Sequence, residues 1–163
     1  MQKVDVFFKE DQNIINITEK LKRIVIFCCK LVLTLEKFKY DAEISVFFTD
    51  DVTIKKLNLK YKNKNCATDV LSFPTNDSFD FFCVNNLVVL GDIVISVEKA
   101  LSQFKLYFSS CFEEEIARLT VHSVLHLLGY DHENGENAAK IMREKERIIN
   151  KIVANKFKFE RVC

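Results

Sequence analysis

No stretch of this sequence is long and apolar enough to cross a membrane. The longest mostly apolar run, residues 24–35, is interrupted by Lys30, and it falls short of the roughly 20 residues that a membrane-spanning helix needs. Near the start of the chain, Glu10 and Asp11 occur before the apolar core of a signal peptide could form. We therefore expect a cytoplasmic protein that has no membrane partner.

The sequence also has no two cysteines in Cys-x-x-Cys spacing. Cys28 and Cys29 are adjacent, and the other cysteines are scattered along the chain: Cys66, Cys83, Cys111 and Cys163. Without a secretion signal, and in a chain large enough to bury a sizeable core, reduced and mostly buried thiols are favoured over disulfides. We therefore expect free thiols.

Neither sign of charge is in excess. The formal net charge is +1, so the molecule as a whole does not attract nucleic acid strongly, although a local cluster of charge still could. Hydrophobic residues make up 48% of the chain and charged residues 29%, as in an ordinary globular protein. With no internal repeat, low-complexity tract or linker, the 163 residues predict one domain, 1–163.

Strand-like and helix-like patterns alternate along this domain. Alternating or continuous apolar residues predict strands, and apolar residues at three- and four-residue steps predict helices. The strands are expected at 3–8, 43–48, 69–74 and 87–96, and the helices at 18–35, 49–64, 111–128 and 137–154. This order predicts an α+β fold, with a roughly four-stranded mixed sheet covered by helices. Pro74 should end its strand, and Gly91 indicates a bulge or a close approach by another backbone.

All three histidines of the chain fall within the short segment "HSVLHLLGYDH". On a helix, His122 and His126 lie ~40° apart around the axis and ~6 Å apart along it, so both project from one face. If the helix continued, His132 would lie ~15 Å from His122. Gly129 can adopt the left-handed conformation that commonly ends helices, and the chain can then return His132 to the other two.

Three converging imidazoles predict a metal centre at the end of this helix. The donor set suits one divalent ion, with Zn²⁺ the best match, and leaves a coordination position for water. Such an open site is typical of catalysis, because the metal lowers the pKa of its bound water to about 7. Asp131 has two interpretations, which are to orient a histidine or to stabilise the turn.

The spacing of His122 and His126 matches the metalloprotease motif His-Glu-x-x-His, except at the glutamate. That position is Ser123, and its hydroxyl is not basic at neutral pH. A zinc-dependent peptidase therefore remains an alternative, although it lacks the usual general base.

Three blocks of sequence resemble the YbeY-type endoribonucleases, which are bacterial rRNA maturation factors. "HSVLHLLGYDH" is similar to that family's His-Gly-x-Leu-His-Leu-x-Gly-Tyr-Asp-His signature. Residues 57–74 match a second block of the family, which ends in Val-Leu-Ser-Phe-Pro, and residues 90–96 match a third, which contains Leu-Gly-Asp-Ile. The resemblance spans residues 57–132 in the expected order.

The resemblance implies a single-strand-specific, metal-dependent endoribonuclease that acts in rRNA processing, at the 3′ end of small-subunit rRNA, and in ribosome quality control. It implies single-stranded RNA and the small ribosomal subunit or its proteins as partners, and not DNA. It assigns the metal to His122, His126 and His132. A metal-stabilised ribosome-assembly protein without catalytic activity is a further alternative.

The chain departs from the family pattern at several positions, which include Ser123, Asn65 and Ala67. The departure of greatest consequence is Lys62, where the family has an arginine that is tied to activity. Lysine offers a point charge in place of a planar fork, so we expect Lys62 to be catalytic but with altered geometry.

Lysines crowd the segment around Lys62. Lys60 and Lys64 are expected to bind the RNA backbone together with it, although the same pattern is typical of a solvated helix face. The aromatic side chains in this part of the chain could stack on bases, but core packing is favoured for most of them: Tyr61, Phe73, Phe79, Phe81 and Phe82.

Overall fold

Strands and helices alternate along the chain in the computed structural model, which describes residues 2–76, 81–104, 106, 109–132 and 135–160. The strands are β1 (Val4–Glu10), β2 (Asp41–Thr49), β3 (Val70–Pro74) and β4 (Leu87–Ser96). The helices are α1 (Glu19–Leu35), α2 (Asp51–Lys62), α3 (Val97–Gln103), α4 (Phe112–Leu127) and α5 (Glu136–Phe157). Phe79 and Cys163 lie outside the described residues.

The four strands form one mixed sheet in the order β1-β2-β4-β3. β2 pairs in parallel with β1 and β4, whereas β3 pairs antiparallel with β4 at the edge. The predicted α+β fold with a four-stranded mixed sheet is therefore confirmed. The edge position of β3 also tolerates Pro74, which cannot donate a hydrogen bond to a neighbouring strand.

The sequence analysis missed one helix, α3. It begins directly where β4 ends, and no glycine or proline separates the two elements. Ser96 provides the N-cap, because its hydroxyl accepts a 3.2 Å hydrogen bond from the amide of Lys99. The predicted order of elements was wrong at this point. The predicted cap of α1 is confirmed, since the hydroxyl of Thr18 accepts from the amide of Leu21 at 3.2 Å.

Gly91 has both of the features that its position in the sequence predicted. The register between β2 and β4 shifts at this point, and Gly91 has φ +139°. A Cβ atom at Gly91 would lie 2.2 Å from the carbonyl oxygen of Phe73 and 3.0 Å from Cδ2 of Leu127. β3, β4 and the end of α4 therefore meet at a position that has room only for glycine.

The two faces of the sheet are covered unequally. α1 and α4 pack against one face with the main core, and α5 packs against α4 and α1. α2 lies on the other side, over a smaller cluster of Ile54, Leu71 and Val94. α4 is the most enclosed helix, since ten of its sixteen residues are buried, and it therefore provides a rigid support for the side chains at its end.

The structure also tests the expectations of free thiols and of no membrane-spanning helix. Five cysteines in the described ranges are free thiols, of which Cys28, Cys29 and Cys111 are buried. In the part of the chain that the structure describes, no helix combines the length and hydropathy that a bilayer-spanning segment requires.

Candidate metal centre and substrate cleft

α4 ends in a hydrogen-bonded turn at Gly129, which has φ +99°. The amide of Gly129 donates to the carbonyl of His126 at 2.9 Å, and the amide of Tyr130 donates to the carbonyl of Leu125 at 3.1 Å. These two bonds form the Schellman motif, which terminates a helix with a left-handed residue. The predicted chain reversal at Gly129 is therefore present.

This reversal brings the three histidines together. His122, His126 and His132 each present one ring nitrogen, and these three nitrogens lie within 4.8 Å of one another. Nε2 of His126 is 3.1 Å from Nε2 of His122. The ring centroid of His132 lies 5.6 Å from that of His122 and 5.1 Å from that of His126. Three nitrogens at this spacing can share one metal ion.

Burial keeps His126 neutral at physiological pH. Desolvation, together with the positive charge that His122 and His132 can carry, lowers the pKa of His126 to about 4, while the Tyr130 backbone and Asp131 act in the opposite sense. Only a neutral imidazole has a lone pair for a metal. Asp131 thus interacts electrostatically with His126, and the choice between its two interpretations stays open.

Glu146, on α5, contacts His122 on the side away from His126. Its Oε1 atom lies 2.6 Å from Nδ1 of His122. Sequence reasoning missed this residue, because 24 positions separate the two side chains and their contact depends on how α5 packs against α4. One feature of the sequence could have indicated it: Glu146 is a charged residue in the stripe of α5 whose other members are apolar and buried.

A second set of contacts braces the turn that carries His132. The hydroxyl of Tyr130 donates a 2.6 Å hydrogen bond to the carboxylate of Glu36, at the end of α1. Nζ of Lys145 lies 2.8 Å from the same carboxylate and 5.1 Å from the centroid of the Tyr130 ring. Three elements are thereby joined at one point beside the candidate centre.

The histidines open onto a cleft of about 710 Å³ between α4, β3 and the end of α2. Lys62 and Lys64 line this cleft with the three histidines, whereas Lys60 is not part of its lining. Nζ of Lys60 instead lies 4.8 Å from the centroid of the Tyr61 ring. Among the described residues, neither Lys62 nor Lys64 forms an ion pair, so both amines are available to an anionic ligand.

Asn58 holds the loop that presents these lysines. It is buried, and its Nδ2 donates a 2.8 Å hydrogen bond to the carbonyl of Cys66. Its own carbonyl accepts from the amide of Lys64 at 3.3 Å, and Asn63 adopts a left-handed conformation at the end of α2. The loop therefore turns back toward β3 and places Lys64 at the cleft wall.

A network of buried polar groups connects the start of α4 to the same wall. The carboxylate of Glu115 is fully buried and accepts a 2.6 Å hydrogen bond from Arg118 and a 2.7 Å bond from Ser109. Gln103 donates to both Glu115, at 3.1 Å, and Asp69, at 2.8 Å. Asp69 lines the cleft, so this network, which sequence reasoning also missed, fixes the wall relative to α4.

The aromatic side chains divide between packing and exposure. Phe73 belongs to the cluster beneath α2, and Phe81 packs edge-on against Phe38 at 5.1 Å. Tyr61 is 54% exposed and Phe82 is 78% exposed. Core packing is thus confirmed for Phe73 and Phe81, while Tyr61 is exposed but also packs edge-on against Phe73 at 5.3 Å.

The family profile described as endoribonuclease YbeY matches residues 7–153. The chain belongs to the YbeY family. An endoribonuclease YbeY from Syntrophomonas wolfei is 41% identical over 145 residues, which cover 86% of this chain and 92% of that relative. An endoribonuclease YbeY from Thermoanaerobacter pseudethanolicus is 45% identical over 140 residues, which cover 81% and 84%.

The YbeY family assignment agrees with a solved structure at the level of the fold. The solution structure of TM1509 from Thermotoga maritima superposes on this chain with a TM-score of 0.62 and 23% identity, over 94% of this chain and 92% of that one. At this identity the likeness concerns the fold alone. The resemblance seen in residues 57–132 thus extends over most of the chain.

Proposed function

We propose that the chain is a single-strand-specific, metal-dependent endoribonuclease, with residues 1–163 as one catalytic domain. One observation carries the proposal: in a YbeY-family chain, three histidine nitrogens converge within 4.8 Å on a cleft that Lys62 and Lys64 also line. The proposed substrate is rRNA, at the 3′ end of the small-subunit molecule, and the proposed place of action is the cytoplasm, on ribosomes that are being matured or checked.

His122, His126 and His132 are the proposed ligands of one divalent ion. The donor set fits Zn²⁺, because three imidazoles with no thiolate or carboxylate among them are typical of open zinc sites. A divalent ion bound there would polarise a phosphoryl oxygen or a water molecule at the scissile phosphodiester. His126, with a pKa of about 4, keeps its lone pair available throughout the physiological range.

Lys62 is the proposed catalytic cation. Its position in the lining of the cleft allows its amine to neutralise the charge that builds up on the phosphoryl oxygens during cleavage. Lys64 lines the same cleft and is proposed to hold the RNA backbone. Lys60 is not part of the cleft lining, and it is proposed to contact the RNA backbone outside the cleft.

The position of Ser123 weighs against a peptidase. The side chain is fully buried, so the position that carries the general base in His-Glu-x-x-His enzymes points into the core in this chain. RNA cleavage is therefore the better interpretation of the same histidine spacing.

Elemental analysis and a cleavage assay, run in parallel on wild type and His126→Ala, test this function. Wild type should contain a divalent ion and cleave single-stranded RNA, while leaving duplex RNA and single-stranded DNA intact. His126→Ala should lose both the ion and the cleavage. Lys55→Ala, an exposed change on α2 purified in the same way, should keep both and shows that substitution and purification alone do not remove them.

Two other results would redirect the proposal. Full cleavage by metal-free His126→Ala would overturn the role of the metal centre. Ribosome association without cleavage, in wild type that retains its metal, would favour the non-catalytic alternative. The end groups of the products separate the two possible attacking groups, because only attack by the 2′-hydroxyl of the RNA leaves a 2′,3′-cyclic phosphate.

A further inference from the structure

α5 carries a carboxylate on its buried side. Ala139, Met142, Ile149 and Val153 are buried at three-, four- and seven-residue steps along this helix. Glu146 lies between Met142 and Ile149 in the same stripe, and its side chain is 23% exposed. A carboxylate in such a position loses much of its hydration, and it needs a partner to offset that cost.

The neighbouring cations do not supply this partner. Lys145 pairs with Glu36, and Arg147 pairs with Glu144 on the exposed side of α5. Within the described ranges, no lysine or arginine lies at ion-pair distance from Glu146. Among the residues that the structure describes, its carboxylate makes one polar contact, with Nδ1 of His122 at 2.6 Å.

This contact has a consequence for the protonation of the imidazole. An ionised carboxylate only accepts hydrogen bonds, so a 2.6 Å contact requires the proton of a neutral His122 ring to be on Nδ1. The lone pair is then on Nε2, the atom that lies 3.1 Å from Nε2 of His126. With an ionised carboxylate, the contact therefore favours the tautomer whose free nitrogen faces His126.

We propose that Glu146 is a positioning residue of the metal centre, which fixes His122 as an Nε2 ligand and strengthens that nitrogen as a donor. The proposal rests on the function proposed above, since it makes α5 a working part of the candidate metal centre. Carboxylates that hold a metal-binding histidine in this way commonly raise metal affinity by 10- to 100-fold.

The first test measures zinc affinity by competition with a chromophoric chelator. Glu146→Ala should bind zinc about 10- to 100-fold more weakly than wild type. Glu146→Gln should show a smaller loss, because its amide oxygen can still accept from Nδ1–H but carries no charge. Glu144→Gln is the matched control, since Glu144 lies on the same helix and pairs with Arg147, and its affinity should equal that of wild type.

The second test needs no metal. In ¹⁵N-histidine-labelled, metal-free protein above neutral pH, the ring nitrogens of His122 should show a protonated Nδ1 and a free Nε2 in wild type and in Glu144→Gln. Glu146→Ala should show a mixture of the two tautomers. Circular dichroism and the thermal transition of each variant verify that the fold is retained.

The outcomes separate this proposal from the proposed function. If Glu146→Ala is folded and shows the zinc affinity and the tautomer of wild type, the role of Glu146 is overturned; if that variant does not fold, Glu146→Gln decides by the same affinity measurement. Should wild type bind no zinc at all, the metal assignment fails. The tautomer spectra still test the role of Glu146 in that case, because a change of the His122 tautomer in Glu146→Ala supports it and an unchanged tautomer overturns it.

Discussion

The hydroxyl of Tyr130 donates a 2.6 Å hydrogen bond to the carboxylate of Glu36, which lies 94 residues earlier in the chain. The bond ties the segment that returns His132 to the end of α1, and Lys145 adds a third element to the same contact. The position of the third histidine therefore depends on tertiary packing as well as on the turn at Gly129.

Tyr130→Phe should remove the hydrogen bond to Glu36 and keep the aromatic ring. Because the lost bond is to a charged group, we expect the free energy of unfolding to fall by about 1.5–3 kcal/mol. Zinc affinity should fall with it, because His132 would be held less firmly. Denaturant titration and chelator competition measure the two effects. In a Glu36→Gln background the stability effect should shrink, and equal losses in both backgrounds would contradict the assignment.

Ser123→Ala should raise stability. The Ser123 hydroxyl is buried and has no hydrogen-bond partner among the described residues, so removing it eliminates an uncompensated polar group and introduces a better helix former. We expect a gain of about 1 kcal/mol in the free energy of unfolding. Thr120→Val is the matched comparison, because the Thr120 hydroxyl donates to the carbonyl of Ile116 at 2.7 Å. A similar gain in Thr120→Val would mean that the missing partner is not the cause.

Substitutions at Lys62 should separate charge from geometry. Lys62→Ala should slow RNA cleavage on the order of 100-fold, as loss of a transition-state cation does, with unchanged metal content. Lys62→Arg should retain or exceed wild-type activity, because its planar fork can hold a phosphate with two hydrogen bonds. Single-turnover cleavage with Lys55→Ala as the control measures both effects. Loss of metal in Lys62→Ala would show a structural role instead.

Alkaline pH should destabilise the protein through its buried cysteines. Burial raises the pKa of Cys29 to about 12, and burial, followed by repulsion from Cys29, raises the pKa of Cys28 well above its usual value. Both folded-state values lie above the unfolded value of about 8.5. Their stabilising effect is therefore complete below pH ~8.5 and is lost as pH rises toward the folded values, because the unfolded chain releases the protons first.

Thiol labelling followed by peptide mass spectrometry checks that Cys28 and Cys29 are buried in the folded protein. Exposed Cys66 should react rapidly in the folded protein, whereas Cys28 and Cys29 should react only on unfolding. Cys29→Ala should show a smaller decline in the free energy of unfolding above pH ~8.5. Rapid labelling of Cys28 or Cys29 in the native state would contradict their burial.

Local signals in the sequence were sufficient for most of the fold and for the histidine cluster. The cap at Thr18, the bulge at Gly91 and the helix end at Gly129 each depend on backbone preferences within a few residues. α3 was missed because it follows β4 with no break in the sequence. Its cap, Ser96, also ends the strand, so one residue belongs to both patterns.

Contacts between distant segments could not be predicted in the same way. Glu146 and Tyr130 have partners that lie 24 and 94 residues away, and only the packing of α5 and α1 against α4 brings them together. The lysines show the same limit. Lys60 and Lys62 are two residues apart, but the end of α2 places only Lys62 in the cleft lining, and spacing alone did not distinguish them.

Gly91 in the sheet packs closely against β3, which lines the cleft together with the three histidines. A methyl group at this position would clash with the backbone of Phe73 and would also contact the side chain of Leu127, the residue after His126. β3 would have to move away to make room, because the closest contact is with its backbone, and it would carry with it residues that line the cleft, whereas the flexible end of the Leu127 side chain could shift more easily. Substitution of Gly91 should therefore disturb the wall of the cleft, although Gly91 itself is not among the residues that line it.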